Sequence, residues 1–169
     1  MATKLRLWTN QKIVLYHGTL SVHAASIMAT GVKVGLGKPN RDFGIGFYTT
    51  TVERQAESWA ALLAKQSPPA TAAIVEFRVD RDLLAALEVI SFVRGDYDAE
   101  VFWSLVSYCR NGGAHHARRG PSAAYDVATG PVAAFWQQRS AMSGADQVSF
   151  HTTAAEAVLN GSPKRTWNV

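Results

Sequence analysis

The sequence predicts a mixed α+β domain. Segments that alternate apolar and polar residues with a period of two are interleaved with segments whose apolar residues recur every three or four positions. The chain carries no internal repeat and no low-complexity tract. Its 169 residues, 47% hydrophobic and 18% charged, suffice for one domain with its own core and exclude wholesale disorder, a collagen-like repeat and a disulfide scaffold.

Ile13, Leu15 and His17 share one face of a first strand and Val14 and Tyr16 the other, and Gly18 ends the run, which places His17 at the strand's C-terminal end. Ser21 as N-cap and Gly31 as the residue past the C-terminus frame a short helix through Ile27 and Met28. A glycine-rich basic loop, Val32 to Arg41, leads to Asp42–Thr49 (DFGIGFYT), a turn entering a short strand. There Gly44 and Gly46 permit positive φ or close backbone approach. A helix follows: Thr50 and Glu53 form a capping box, and Ala56, Trp59, Ala60 and Leu63 lie on one stripe until Pro68 and Pro69 break the chain.

Ala72–Val79 alternates Ala73, Val75, Phe77 and Val79 against Glu76 and Arg78, the pattern of a half-buried strand. Asp82–Val93 is ambiguous between a helical turn and a β-prone stretch over Val89–Val93. Asp98 caps a helix to about Arg110 with Val101, Leu105 and Cys109 on one stripe, stopped by Asn111, Gly112 and Gly113. Tyr125–Gly130 and Gln147–His151 read as two later strands. In the second, Gln147, Ser149 and His151 face one way and Val148 and Phe150 the other. Thr153 and Glu156 open a last helix, ended by Gly161 and Pro163.

Several function classes are excluded or disfavoured at this level. No apolar run approaches the ~20 residues of a spanning helix, and the N-terminus lacks the apolar core of a signal peptide, so a cytoplasmic protein with no membrane role is expected. Cys109 is the single cysteine, which rules out an internal disulfide, and no metal site is expected. His115-His116 lacks helical i, i+4 spacing and a third ligand. Neither a phosphate-binding P-loop, a Rossmann glycine fingerprint nor a serine-hydrolase elbow is present. Seventeen Lys and Arg against thirteen Asp and Glu give a net charge of +4, which favours anionic partners without naming one.

Three features stand together: Tyr16-His17-Gly18-Thr19 at the end of the first strand, the glycine-framed Asp42–Thr49, and the late strand beginning at Gln147. Singly, each has a plain reading: a structural hydrogen-bonding histidine, a core tyrosine, a surface amide. In order and spacing they resemble the ADP-ribosyltransferase superfamily, in its histidine–tyrosine–glutamate branch that includes diphtheria toxin and the poly-ADP-ribose polymerases. YHGT, DFGIGFYTT, QAESWA, YDVATGPVA and QVSFHT are most similar to small bacterial ADP-ribosyltransferase-like domains, over roughly Ile13 to Leu159.

The resemblance implies split β-sheets with flanking helices and NAD, as substrate, in a cleft between the sheets, without a metal. His17, Tyr48 and Gln147 would be the catalytic set. His17 would bond the adenosine ribose, the Gly18 backbone would hold the carboxamide, with glycine required because a Cβ would crowd the ligand, and Tyr48 would stack on nicotinamide. Thr19, Arg41, Gly46, Phe47 and Trp59 complete the implied NAD-binding residues. Trp59 matches the position of a second stacking aromatic, and core packing remains its alternative. Gln147 stands where the branch carries glutamate. An amide supplies no full negative charge and no general base, which directs the expectation towards transfer of single ADP-ribose units.

Asp146 is a substitute carboxylate or a residue facing away. Arg41 and Lys38 reach the pyrophosphate or solvate the loop, and Asp42 makes a local turn bond or a catalytic contact. His151 lines the acceptor side or is structural, and His23 is helix surface. His115, His116, Arg118 and Arg119 read a phosphate-bearing partner or are solvated. The implied activity is mono-ADP-ribosylation of a macromolecule, protein or nucleic acid, by a toxin with a cognate antitoxin or by an anti-phage effector. NAD glycohydrolysis and a catalytically weak NAD- or ADP-ribose-binding module are the alternatives.

Overall fold

The computed structural model describes residues 11–93, 99–113 and 125–169. The expected cap Asp98 and the loop residues His115, His116, Arg118 and Arg119 lie outside them, as does the segment 1–10. The elements run β1 (Lys12–Leu20), α1 (Ser21–Thr30), β2 (Phe47–Thr49), α2 (Glu53–Gln66), β3 (Ala72–Asp80), α3 (Arg81–Ala85), β4 (Val89–Ser91), α4 (Ala99–Arg110), β5 (Val127–Pro131), β6 (Asp146–Phe150), α5 (Thr153–Gly161) and β7 (Lys164–Asn168). Single 3-10 turns occur at Val34–Leu36 and Trp136–Gln138.

This α+β chain forms two sheets. One is three-stranded in the order β1-β3-β7, antiparallel throughout, and the other is four-stranded in the order β2-β6-β5-β4, with only β4 and β5 parallel. A single bridge joins them where β1 meets the outer edge of β2: Tyr16 N–H donates to Thr50 O at 2.8 Å and Thr50 N–H to Tyr16 O at 2.9 Å.

The strand periods sort side chains onto faces. Leu15, Val75, Phe77 and Val79 from the first sheet meet Phe47, Val127, Val148 and Phe150 from the second in one core, closed by Ala24 of α1 and by Ala155 and Leu159 of α5. Full burial of a Phe or Leu in such a core stabilises by roughly 1.5–3 kcal/mol. Helix α2 covers the outer face of the first sheet through Ala56 and Ala60 on Ala72 and Ile74. Helix α4 covers the outer face of the second, packing Phe102 and Val106 with Phe43, Ala128 and Ala133. Among the described residues no helix is long and apolar enough to cross a membrane.

Several local expectations are corrected. Leu20, not Ser21, occupies the α1 N-cap, whereas Gly31 ends that helix with φ 84° as expected. The Thr50–Glu53 capping box does not form. Val52 is the N-cap, and the Thr50 hydroxyl instead accepts from Val52 N–H at 3.0 Å. Trp59 is 42% exposed, so core packing is not its role. The buried stripe of α4 is Phe102, Val106 and Cys109, with Val101 outside. In α5 the cap is Thr152, which accepts from Ala155 N–H. Strand β7 had no counterpart in the sequence reading. It makes β3 central, and Glu76, expected on a solvated face, is buried.

Candidate functional site

The site is built around the short stretch 41–48, because almost every residue in it holds a different candidate side chain. Gly44 takes φ 86°, which closes a turn in which its N–H donates to Arg41 O at 3.1 Å. Gly46 serves by close approach: a Cβ there would lie 2.7 Å from His151 Nδ1 and from Phe150 O. The two glycines thus use the two freedoms expected of them, one each.

Tyr48 lies in β2 opposite Ser149, which puts its ring on the same sheet face as Gln147 and beside Phe43 and Phe102. Its hydroxyl accepts from Phe43 N–H at 3.0 Å and donates to Gly44 O at 2.8 Å, closing the turn from above. Burial pushes this phenol well above its usual range, so it stays protonated.

His17 sits on the inter-sheet face of β1, half-buried, with its ring stacked on Phe47 at 4.3 Å between centroids. Its Nδ1 lies 2.7 Å from Tyr48 O on the outer edge of β2. A carbonyl can only accept, so Nδ1 carries the proton. Burial pulls the imidazole down to about 4, against the backbone bond that favours protonation, and the ring is neutral at pH 7. Nε2 therefore presents a lone pair, and no described residue hydrogen-bonds it. The structure brings His17 to Tyr48 through the latter's main chain; the two rings lie toward opposite faces of the second sheet.

Gln147, 6% exposed in β6, has both amide hydrogens committed: Nε2 donates to Asp42 Oδ2 at 2.7 Å and to Pro131 O at 2.8 Å. Both partners are acceptors, which fixes the amide orientation and leaves Oε1 without a partner among the described residues. Asp42, 3% exposed, also accepts from Ala133 N–H at 2.8 Å and forms an ion pair with Arg110, whose Nη2 and Nε lie 2.5 and 2.7 Å from Oδ1. Asp42 is therefore neither a local turn former nor isolated; its partners are 68, 91 and 105 residues away.

The remaining candidates separate. Arg41 places its guanidinium 5.6 Å from the centroid of the exposed Trp59 ring, a cation–π contact across to α2. Lys38 is exposed in the loop. Thr19 is buried opposite Ala73 in the β1–β3 ladder. Gly18 must be glycine for a reason other than a ligand: a Cβ would stand 2.1 Å from Ala56 O, so glycine is what lets α2 dock on β1.

Asp146 is consumed locally. Its carboxylate accepts from Thr50 Oγ1 at 2.6 Å, Thr51 N–H at 2.9 Å and the Thr51 hydroxyl, and its main chain pairs with the Gln55 amide, fastening β2 and α2 to β6. His151 uses both ring nitrogens, toward Ile45 O and Ser149 Oγ, each at 2.8 Å, and His23 is exposed on α1. Among the described residues no group of His, Cys, Asp and Glu could hold a metal ion.

Residues 13–135, more than two thirds of the chain, match the family described as protein of unknown function, DUF3990. The chain belongs to the DUF3990 family. No curated protein matches it. The DUF3990 match takes in His17, the 41–48 stretch, Trp59 and Arg110 and ends before Gln147.

In this DUF3990 protein the sequence reading missed Arg110 and the long-range role of Asp42. The available signal was weak: an aspartate between Arg41 and Phe43 in a glycine-rich stretch, and an arginine closing the last turn of an amphipathic helix.

Proposed function

We propose that this protein binds NAD at the seam where β1 meets β2 and transfers its ADP-ribose to a macromolecular acceptor, releasing nicotinamide. The observation that carries the reading is two acceptors with no partner among the described residues: the lone pair of the neutral, half-buried His17 beside that seam and the open Oε1 of buried Gln147 on the outer face of the second sheet. Both suit hydroxyl donors, as two riboses offer. The resemblance of YHGT, DFGIGFYTT and QVSFHT to ADP-ribosyltransferases assigns the same two residues to the same task, and the α+β two-sheet architecture is compatible with that fold.

In this reading His17 takes a hydroxyl of the adenosine ribose and Gln147 one of the nicotinamide ribose. Tyr48 and the exposed Trp59 offer aromatic faces to the nicotinamide, and Arg41 exchanges its contact with Trp59 for the pyrophosphate. The bond between ribose C1′ and the nicotinamide nitrogen breaks with its electron pair going to the ring. The acceptor's nucleophile then bonds C1′ and loses a proton. An oxocarbenium-like transition state is stabilised by oriented dipoles and nearby negative charge. A cytoplasmic toxin countered by an antitoxin, or an anti-phage effector, is the biological role consistent with such an activity.

The test is incubation with NAD labelled on its adenine side, following nicotinamide release and label on lysate protein and nucleic acid, with Gln147→Ala as control. Release with transfer, reduced at least tenfold in the variant, supports the reading and identifies the acceptor class. Free ADP-ribose without labelled macromolecule makes the protein a glycohydrolase, and saturable binding without release makes it a binding module. Absence of NAD binding refutes the reading.

A further inference from the structure

The carboxylate bonded directly to the Gln147 amide is that of Asp42, and its surroundings are fully committed. Oδ1 takes two nitrogens of Arg110, and Oδ2 takes Ala133 N–H and Gln147 Nε2. Gln147 in turn spends both hydrogens on Asp42 and Pro131, so its only open atom is Oε1. An amide whose N–H bonds an anion is polarised, and its oxygen becomes the better acceptor. Arg110, Asp42 and Gln147 thus form a chain running from α4 through the 41–44 turn to β6, ending in one fixed carbonyl oxygen.

We propose that Asp42 and Arg110 are positioning residues that orient and polarise Gln147, and that the amide at position 147 is required by Asp42 rather than being a weakened carboxylate. The inference deepens the NAD reading and rests on it for the ligand. A glutamate at position 147 would set two carboxylates about 2.7 Å apart beneath the surface, where they cannot both ionise. An acceptor oxygen with a carboxylate behind it also selects its ligand class: it takes a hydroxyl, as of a sugar, and disfavours phosphate and carboxylate oxygens, which have no hydrogen to give.

The experiment compares the full chain with Gln147→Glu, Asp42→Asn and the double variant Asp42→Asn/Gln147→Glu, in which amide and carboxylate exchange places. Each is measured for thermal unfolding and for NAD binding by calorimetry. Gln147→Glu is expected to lower Tm by roughly 6–12 °C and to weaken NAD binding at least tenfold. The double variant is expected to recover part of both losses, because the amide introduced at position 42 can donate to the carboxylate introduced at position 147 while the bonds to Ala133 N–H and Pro131 O stay lost; a merely structural role for Asp42 predicts no recovery of binding. Gln147→Glu with wild-type Tm and equal or tighter NAD binding overturns the proposal. So does a double variant whose losses are the sum of the single ones. If the thermal coupling appears but the wild-type chain binds no NAD, the Asp42–Gln147 unit stands and the NAD reading falls.

Discussion

Two carboxylates are buried to the same depth, Glu76 at 2% and Asp42 at 3% exposure, yet their surroundings differ in kind. Glu76 lies mid-way along the central strand β3, opposite Tyr16 on one side and Arg165 on the other. Its oxygens are taken by Arg78 Nε at 2.9 Å and Arg165 Nη2 at 2.6 Å, from side chains that are 55% and 64% exposed. Arg165 also covers the Trp167 ring at 5.2 Å. The cluster is closed: the outer ends of its donors meet water. Asp42 is held by a more buried arginine, a backbone N–H and an amide whose far end is open. Burial and charge are thus nearly equal in the two places, and the difference is that one donor to Asp42, the Gln147 amide, also carries an acceptor atom that no described residue uses, whereas the arginines on Glu76 carry donors only.

The comparison is broken most severely by Asp42→Ala. It strands Arg110, Ala133 N–H and the Gln147 amide together, and a loss of about 3–5 kcal/mol is expected in urea unfolding, since removing one partner of a buried pair leaves an uncompensated charge. Glu76→Gln should cost less, about 1–2 kcal/mol, because Arg78 and Arg165 can turn to solvent. It should also alter acid stability. Burial pushes the Glu76 carboxyl up, but the hydrogen bonds from Arg165 and Arg78 prevail and hold it below its ordinary 4.5. Its contribution is therefore present above that value and lost as pH falls through the lower folded value. Wild type should lose stability more steeply than Glu76→Gln below pH 4.5.

A smaller effect belongs to His17. With the imidazole lowered to about 4 from 6.5 by burial, and with His23 opposing its charge, the unfolded chain binds the proton first. Stability is complete above 6.5 and declines as pH falls toward 4, by roughly 1–3 kcal/mol. His17→Asn, whose amide can still donate to Tyr48 O, should show a flatter profile across that window in a pH series of thermal melts.

Much of this frame was legible in the sequence, because period-two alternation identified β1, β3 and β6, and helical spacing with a glycine stop (α1, α5) or a proline break (α2) identified the helices. Strand β7 escaped because Lys164–Asn168 (KRTWN) is a charged edge strand directly after Pro163, and only its pairing with β3 makes it one. The α4 face was misread because Val101 and Phe102 both begin apolar stripes and only packing against Phe43 and Ala128 decides between them. Of the candidate site residues, His17, Tyr48 and Gln147 stand out by motif alone. Asp42 was read as local because nothing near it in sequence announces partners as distant as Arg110 and Gln147. The need for glycine at position 18 also has a packing cause that the sequence does not announce, since α2 excludes a Cβ there.

The central claim is that the Asp42 side of the molecule, and not the Glu76 side, serves an NAD-binding site. Calorimetric titration of NAD into the wild-type chain, Gln147→Ala and Glu76→Gln tests it most directly. The account predicts saturable one-to-one binding that Gln147→Ala weakens at least tenfold and Glu76→Gln leaves within twofold. No heat of binding from the wild-type chain, or equal weakening by both substitutions, would contradict it.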